Sequence, residues 1–247
     1  MIPVIPTLLP RDVVFGGFTT RCGGVSKAPF DSLNLGSRTS DDSRDVSRNH
    51  EIFRDFLCVA KSDIAFMDQV HGDTVRFVDR GGVSPGTDGI VTVTPGIVLC
   101  VLTADCIPLL LFDPVTGASA AVHCGWRPLV SGIAERAIAL MIADAGTSPE
   151  TILAAAGPAA GSCCYEIGDD VARFLHHDSV VHRNGRLFGD LKAELKRRLT
   201  AAGVLDEHIE IVTDCTVCDE SRYYSHRRDG DRSGRMAGFI LTKKAEN

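Results

Sequence analysis

The sequence predicts an α+β fold with mixed β-sheets, and three observations carry that reading. Extended apolar runs and amphipathic helices mingle without the strict βαβ alternation of a doubly wound fold. The most apolar stretch, residues 97–112, is broken by Thr103-Ala104-Asp105-Cys106 and ends in the turn sequence Asp113-Pro114-Val115-Thr116-Gly117, as an arm of an antiparallel pair would. No internal repeat, low-complexity tract or Pro/Gly/Ser linker divides the 247 residues, so 1–247 reads as a single domain.

The elements follow in order. Residues 41–60 form a helix with Val46, His50, Phe53, Leu57 and Ala60 on one face and Ser40 or Asp41 as N-cap. Extended runs are expected at 63–67, 74–79 and 89–94, and a further strand at 118–123 beyond the 113–117 turn. A helix is expected over 128–145, with Leu129, Val130, Ile133, Ala137, Leu140 and Met141 on one face, Pro128 at its first position and Gly146 as its stop. Leu187, Leu191, Leu195 and Leu199 mark a second amphipathic helix over 187–202, and strands return at 208–213 and 236–242.

Charge and cysteine usage narrow the function classes. With 26 basic and 32 acidic residues, a net charge of −6 and no long block of either sign, the chain lacks the basic face of a nucleic-acid binder. No run approaches the length of a membrane span, and the short, Pro-broken Met1–Pro10 segment does not read as a signal peptide. Nine cysteines without an export signal point to reduced thiols in a cytoplasmic protein. Oligomeric state is not legible.

Cys106 and His123 are the first candidates for chemistry. Pairing about Val115 sets Cys106 opposite residue 123 or 124, and opposed residues in an antiparallel pair lie ~4.5–5.5 Å apart at Cα, close enough to share an ion. The register decides whether His123 or Cys124 shares the face of Cys106. A Cys in an apolar segment is more commonly a core residue, and His71, alone, reads as a loop histidine. Gly125-Trp126-Arg127 leads into the helix beginning at Pro128, a start that with the Arg127 guanidinium offers an anion site. Arg21, Arg227 and Arg228 are further cationic loop candidates. Cys215-Thr216-Val217-Cys218 is a single C-x-x-C with no second pair at zinc-ribbon spacing, and is read as structural.

Taken together the motifs stop looking independent. Gln69-Val70-His71-Gly72, Thr103-Ala104-Asp105-Cys106-Ile107-Pro108 and His123-Cys124-Gly125-Trp126-Arg127 resemble the laccase-domain or polyphenol-oxidase-like family, also described as multifunctional purine nucleoside phosphorylases. Thr20-Arg21-Cys22-Gly23-Gly24, Leu33-Asn34-Leu35-Gly36, Thr87-Asp88-Gly89, Tyr165-Glu166-Ile167-Gly168 and Ser233-Gly234-Arg235 extend the resemblance along nearly the whole chain. It implies a layered α/β sandwich, with sheets flanked by helices, and a metal held by His71, Cys106 and His123, zinc first and copper as the alternative. It implies phosphorolysis of adenosine, inosine and methylthioadenosine, with hydrolytic deamination of adenosine. Cys106, His123 and Asp105 are then the catalytic candidates, Asp105 as a proton-transfer or supporting group. Arg127, Arg21, Asn34 and Arg227 are the candidates for holding substrate or phosphate. The chain departs from the family pattern at Cys124, Pro128, His50 and His226, so Cys124 is a candidate extra thiolate and Pro128 weakens the anion site.

Two rivals share these residues. Two His and one Cys form the equatorial set of a blue-copper centre, but a multicopper oxidase relies on His-x-His pairs, and no two histidines here are so spaced. A metal-free hydrolase cleaving amide bonds, as in cell-wall precursor editing, would use Cys106 as nucleophile and His123 as base.

Overall fold

The computed structural model describes residues 2–244. The chain begins with β1 (Val14–Phe18), α1 (Ser43–Leu57), β2 (Ile64–Met67), β3 (Val75–Phe77), β4 (Gly82–Ser84) and β5 (Gly89–Thr92). It continues through β6 (Val98–Thr103), β7 (Ile107–Phe112), β8 (Ser119–Cys124), α2 (Trp126–Val130), α3 (Ile133–Ala145) and β9 (Leu153–Ala156). After β10 (Glu166–Ile167) come α4 (Asp169–Ala172), β11 (Val180–Arg183), β12 (Arg186–Gly189), α5 (Leu191–Ala201), β13 (Ile209–Ile211), α6 (His226–Asp229) and β14 (Met236–Thr242).

Two mixed sheets stack between helices. One runs β1-β14-β6-β2-β4, the other β13-β9-β7-β8-β5-β3, and a small sheet β10-β12-β11 lies apart from both. Side-chain alternation along β6 and β7 explains the layering. Leu99 and Val101 of β6 meet Leu110 and Phe112 of β7 between the two sheets. The intervening Val98 and Cys100 face Phe53 and Leu57 of α1, while Leu109 and Leu111 face Ala137 and Met141 of α3 and Leu195 of α5. Strands buried on both faces read as continuous apolar runs, which is why 97–112 is so apolar. The order is helix, sheet, sheet, helix, in agreement with the α+β expectation.

Several boundaries differ from the sequence reading. Asp42, not Ser40 or Asp41, caps α1 by accepting from Arg44 N, because Asp41 is taken by Ser26 and Asn34. The helix stops at Leu57, leaving Ala60 outside it. The single helix expected over 128–145 is two, broken at Ser131-Gly132 where Gly132 adopts φ 87°, a conformation glycine reaches without a Cβ penalty. Pro128 is the third residue of α2 rather than the first, whereas Gly146 does end α3, at φ 71°. Leu187 belongs to β12, not to the helix that follows. No helix among the described residues is long and apolar enough to cross a membrane.

Candidate metal centre

β7 and β8 pair antiparallel with Ile107 opposite Cys124 and Pro108 opposite His123. That register settles which neighbour faces the thiol. Cys124 turns into the helix-side core and is wholly buried, and burial pushes its thiol far up. It is no extra ligand. His123 shares the face of Pro108, two residues beyond Cys106. Cys106 itself sits one residue outside the paired stretch, so it is opposite neither 123 nor 124 as the pairing about Val115 had it. A Cβ on Gly125 would come within 3.0 Å of Cys106 Sγ and 3.5 Å of His71 Cδ2, so the glycine leaves room for both groups.

The loop after β2 brings in His71. Gln69 clasps Leu102 of β6 from both sides, Nε2 donating to its carbonyl at 2.8 Å and Oε1 accepting from its N–H at 2.9 Å. His71 then takes a left-handed φ of 59°, uncommon for a residue with a side chain. Asp88 holds that turn. Its carboxylate accepts from the backbone N–H of Val70, His71 and Gly72 at 3.1, 3.0 and 2.8 Å, and contacts His123 Nδ1 at 2.8 Å. Burial alone would raise the Asp88 carboxyl, but His123 and these N–H groups more than reverse it and hold it below the usual range.

The ligand atoms of His71, Cys106 and His123 lie within 4.8 Å of one another. The two imidazoles meet edge to face, centroids 4.7 Å apart at 80°. The donor set fits a borderline-soft divalent cation, bound at ~2.0–2.1 Å by nitrogen and ~2.3 Å by sulfur, with one of four tetrahedral positions open. Asp88 occupies His123 Nδ1 and so leaves Nε2 for the ion, the carboxylate–histidine arrangement that fixes tautomer and ring orientation. Burial pushes the Cys106 thiol up, yet His123 and His71 outweigh it and leave it lowered to about 6. Burial lowers His123, and the Cys106 thiolate and Asp88 bring it to about 9.

These ligands lie in a cleft of about 1110 Å³, lined also by Phe66, Gln69, Asp105, Tyr165, Arg227 and Arg235. Asp105 adopts φ 85°, and both its oxygens are engaged, by Thr216 Oγ1 and by Arg227 N, each at 2.6 Å. Its carboxylate therefore fixes the start of α6. The Arg227 guanidinium stacks on Tyr165, 4.6 Å from the ring centroid, and makes no hydrogen bond to the protein among the described residues.

Three other candidates lie outside the cleft. Arg21 pairs with Asp31 at 3.2 Å, donates to the carbonyls of Asp31 and Glu220, and lines a separate cavity of about 650 Å³. Asn34 is wholly buried and accepts from the N–H of Gly36 and Arg235 at 2.9 and 2.8 Å, so it anchors two residues that line the cleft. Arg127 is exposed and stacks on Trp126 at 4.4 Å. The α2 it belongs to is five residues long, with Gly125 as its N-cap, and Arg127 is not among the residues that line the cleft. Arg235, Arg38, which lines the cleft and pairs with Asp68, and above all Asp88 are the residues the sequence reading did not single out. Arg235 and Asp88 stood in matched motifs, so a signal existed. Their spacing carried no geometry.

Residues 15–243 match the family described as multi-copper polyphenol oxidoreductase laccase. The chain belongs to this family. It is 40% identical to a purine nucleoside phosphorylase of Deinococcus radiodurans, over 99% of this chain and 96% of that protein. It is 36% identical to purine nucleoside phosphorylase YlmD of Geobacillus stearothermophilus, over 91% and 88%. The crystal structure of that YlmD superposes with a TM-score of 0.89 at 34% identity, covering 94% of this chain and 92% of the other. The Bacillus licheniformis protein YfiH gives the same score and identity, covering 93% of each chain. Relatives of this laccase-like family thus bear purine nucleoside phosphorylase names.

Proposed function

We propose that this chain is a zinc-dependent purine nucleoside phosphorylase, cleaving adenosine, inosine and methylthioadenosine with phosphate, and deaminating adenosine as a second reaction. The observation that carries the reading is a His–Cys–His set in the same roomy cleft as the Arg227 guanidinium, which stacks on Tyr165 and makes no hydrogen bond among the described residues.

In phosphorolysis a phosphate oxygen attacks the anomeric carbon, the glycosidic C–N bond breaks, and its electron pair leaves with the purine, which takes up a proton. Arg227 offers the fork that binds and neutralises phosphate, and Asp105 positions Arg227 through its backbone N–H. Phe66 and Tyr165 present aromatic surface to a planar base. His71, Cys106 and His123 would hold the zinc ion, which when bound would supply Lewis acidity for phosphorolysis and for the activation of water in deamination. Asp88 keeps two of the three ligands in place.

The oxidase description fits this chain less well. Two further cleft histidines are committed elsewhere, His50 Nε2 to Leu35 O at 3.0 Å and His226 Nδ1 to Gly230 O at 2.9 Å. That supports a single ion over a cluster of coppers, and the donor set admits copper as an alternative to zinc. One observation favours a second reading, amide hydrolysis by Cys106: Asp88, His123 and Cys106 form an Asp–His–Cys line. Incubation with adenosine and phosphate, with adenine, ribose 1-phosphate and inosine followed, tests the first reading. Alkylation of Cys106 separates the two. A ligating thiolate is protected until a chelator strips the ion, whereas a free nucleophile reacts at the same rate with or without chelator.

A further inference from the structure

A second set of soft ligands lies outside the His71–Cys106–His123 centre. Cys163 and Cys164 sit in the turn after β9, where Cys164 N and Tyr165 N both bond Gly161 O at 2.9 Å. Cys215 and Cys218 sit in the turn after β13. The two turns are joined by a parallel bridge between Ala159 and Cys215, with Thr216 N donating to Ala159 O at 3.1 Å. The sulfurs of all four cysteines lie within 4.8 Å of one another, Cys164–Cys218 at 3.3 Å and Cys163–Cys218 at 3.6 Å. The C-x-x-C read as structural from its spacing therefore has a second pair after all, supplied by adjacent cysteines some fifty residues away.

We propose that Cys163, Cys164, Cys215 and Cys218 bind a second, structural divalent cation of the zinc class. A tetrahedral ion with Zn–S near ~2.3 Å places its sulfurs about 3.8 Å apart. The two closest pairs, at 3.3 and 3.6 Å, fall slightly short of that, and all four sulfurs lie within 4.8 Å of one another. One ion fits better than an iron–sulfur cluster, whose ligands sit on different metal atoms and so stand farther apart. Backbone donors are already aimed at the sulfur of Cys215. Gly161 N lies 3.3 Å from it, and the N–H groups of Val217 and Cys218 point the same way. Such N–H groups stabilise a thiolate ligand. Four thiolates around a divalent ion leave net negative charge, and the buried Lys192 ammonium, tied to the carbonyls of Val212 and Asp214 at 2.7 and 2.8 Å, lies near enough to Cys215 and Cys163 to offset it.

The ion would clamp two loops that build the cleft. Thr216, between the paired cysteines, holds Asp105 at 2.6 Å, and Tyr165, next to Cys164, carries the stacked Arg227. Arg228 ties into the same turn through the carbonyls of Thr216 and Val217 at 2.9 and 3.2 Å.

Elemental analysis and cobalt(II) substitution test the site without reference to turnover. The wild-type protein should hold two metal ions per chain, and Cys106→Ser and the double variant Cys163→Ser/Cys218→Ser one each. Cobalt-loaded Cys106→Ser should keep the intense sulfur-to-cobalt and tetrahedral absorption of an all-thiolate site, and the double variant should lose it. Should the double variant fail to fold, zinc-edge absorption of the wild type decides, with five sulfurs shared over two ions expected. The proposal is overturned if Cys106→Ser binds no metal. It is equally overturned if metal-replete protein has a mass short by two or four hydrogens, with disulfides mapped among these four cysteines.

Discussion

Asp88 Oδ1 lies 2.8 Å from His123 Nδ1, and both side chains are buried. The same carboxylate collects the N–H groups that hold His71 in its left-handed turn. A single residue therefore orients one ligand through its ring and another through its backbone, with all four acceptor sites of the carboxylate in use.

Asp88→Asn should weaken metal binding about 10–100-fold, the usual cost of losing such a supporting partner. An amide keeps one acceptor oxygen and turns an NH₂ toward groups that themselves donate. Competition with a chromophoric chelator measures this, and an unchanged affinity would contradict the role given to Asp88.

Arg227→Ala should raise the KM for phosphate about 10–100-fold, since a hydrogen bond to a charged group is worth about 1.5–3 kcal/mol. The KM for adenosine should change far less. Stability should hardly move, because the guanidinium stacks on Tyr165 and makes no hydrogen bond or ion pair among the described residues. Arg227→Lys should recover part of the loss, having the charge without the planar fork. Equal rises in both KM values would point to general damage to the cleft.

Acid stability should depend on Glu194 of α5. Burial raises its carboxyl, but Arg197 and Arg198, His176 N and Ser179 Oγ outweigh it and hold it at about 2, against an ordinary 4.5. A depressed carboxylate contributes its full stabilisation above the unfolded value and loses it as pH falls from about 4.5 through about 2. The side chain is wholly buried, but Arg197 is half exposed and screened, so about 2–3 kcal/mol is a fair magnitude. Glu194→Gln should lower stability at neutral pH by that order and flatten the acid limb of a denaturation profile. An unchanged limb would contradict it.

What the sequence made legible was periodic or local. The apolar run 97–112, the turn 113–117 and the glycine after α3 stood out because each writes its structure into adjacent residues. The break at Gly132 was masked because the apolar pattern on either side continues in phase. Short strands such as β4 and β10, two or three residues long, carry no pattern to read. At the site, Cys106 and His123 are near in sequence across one hairpin, whereas Asp88 meets His123 across a different strand pair, β5 and β8. Cys164 and Cys218 meet only because β9 and β13 are parallel neighbours. Arg21 and Asn34, conspicuous in their motifs, turn out to organise loops at a distance from the ligands.

The most direct measurement is product formation from adenosine and phosphate by chelator-stripped protein as zinc is titrated back, for the wild type and Cys106→Ser side by side. Adenine and ribose 1-phosphate should rise in the wild type with the zinc equivalent that Cys106→Ser fails to take up, and Cys106→Ser should stay inactive. Full activity in Cys106→Ser, or a zinc-replete wild type yielding neither adenine nor inosine, would contradict a His71–Cys106–His123 metal centre that works on purine nucleosides.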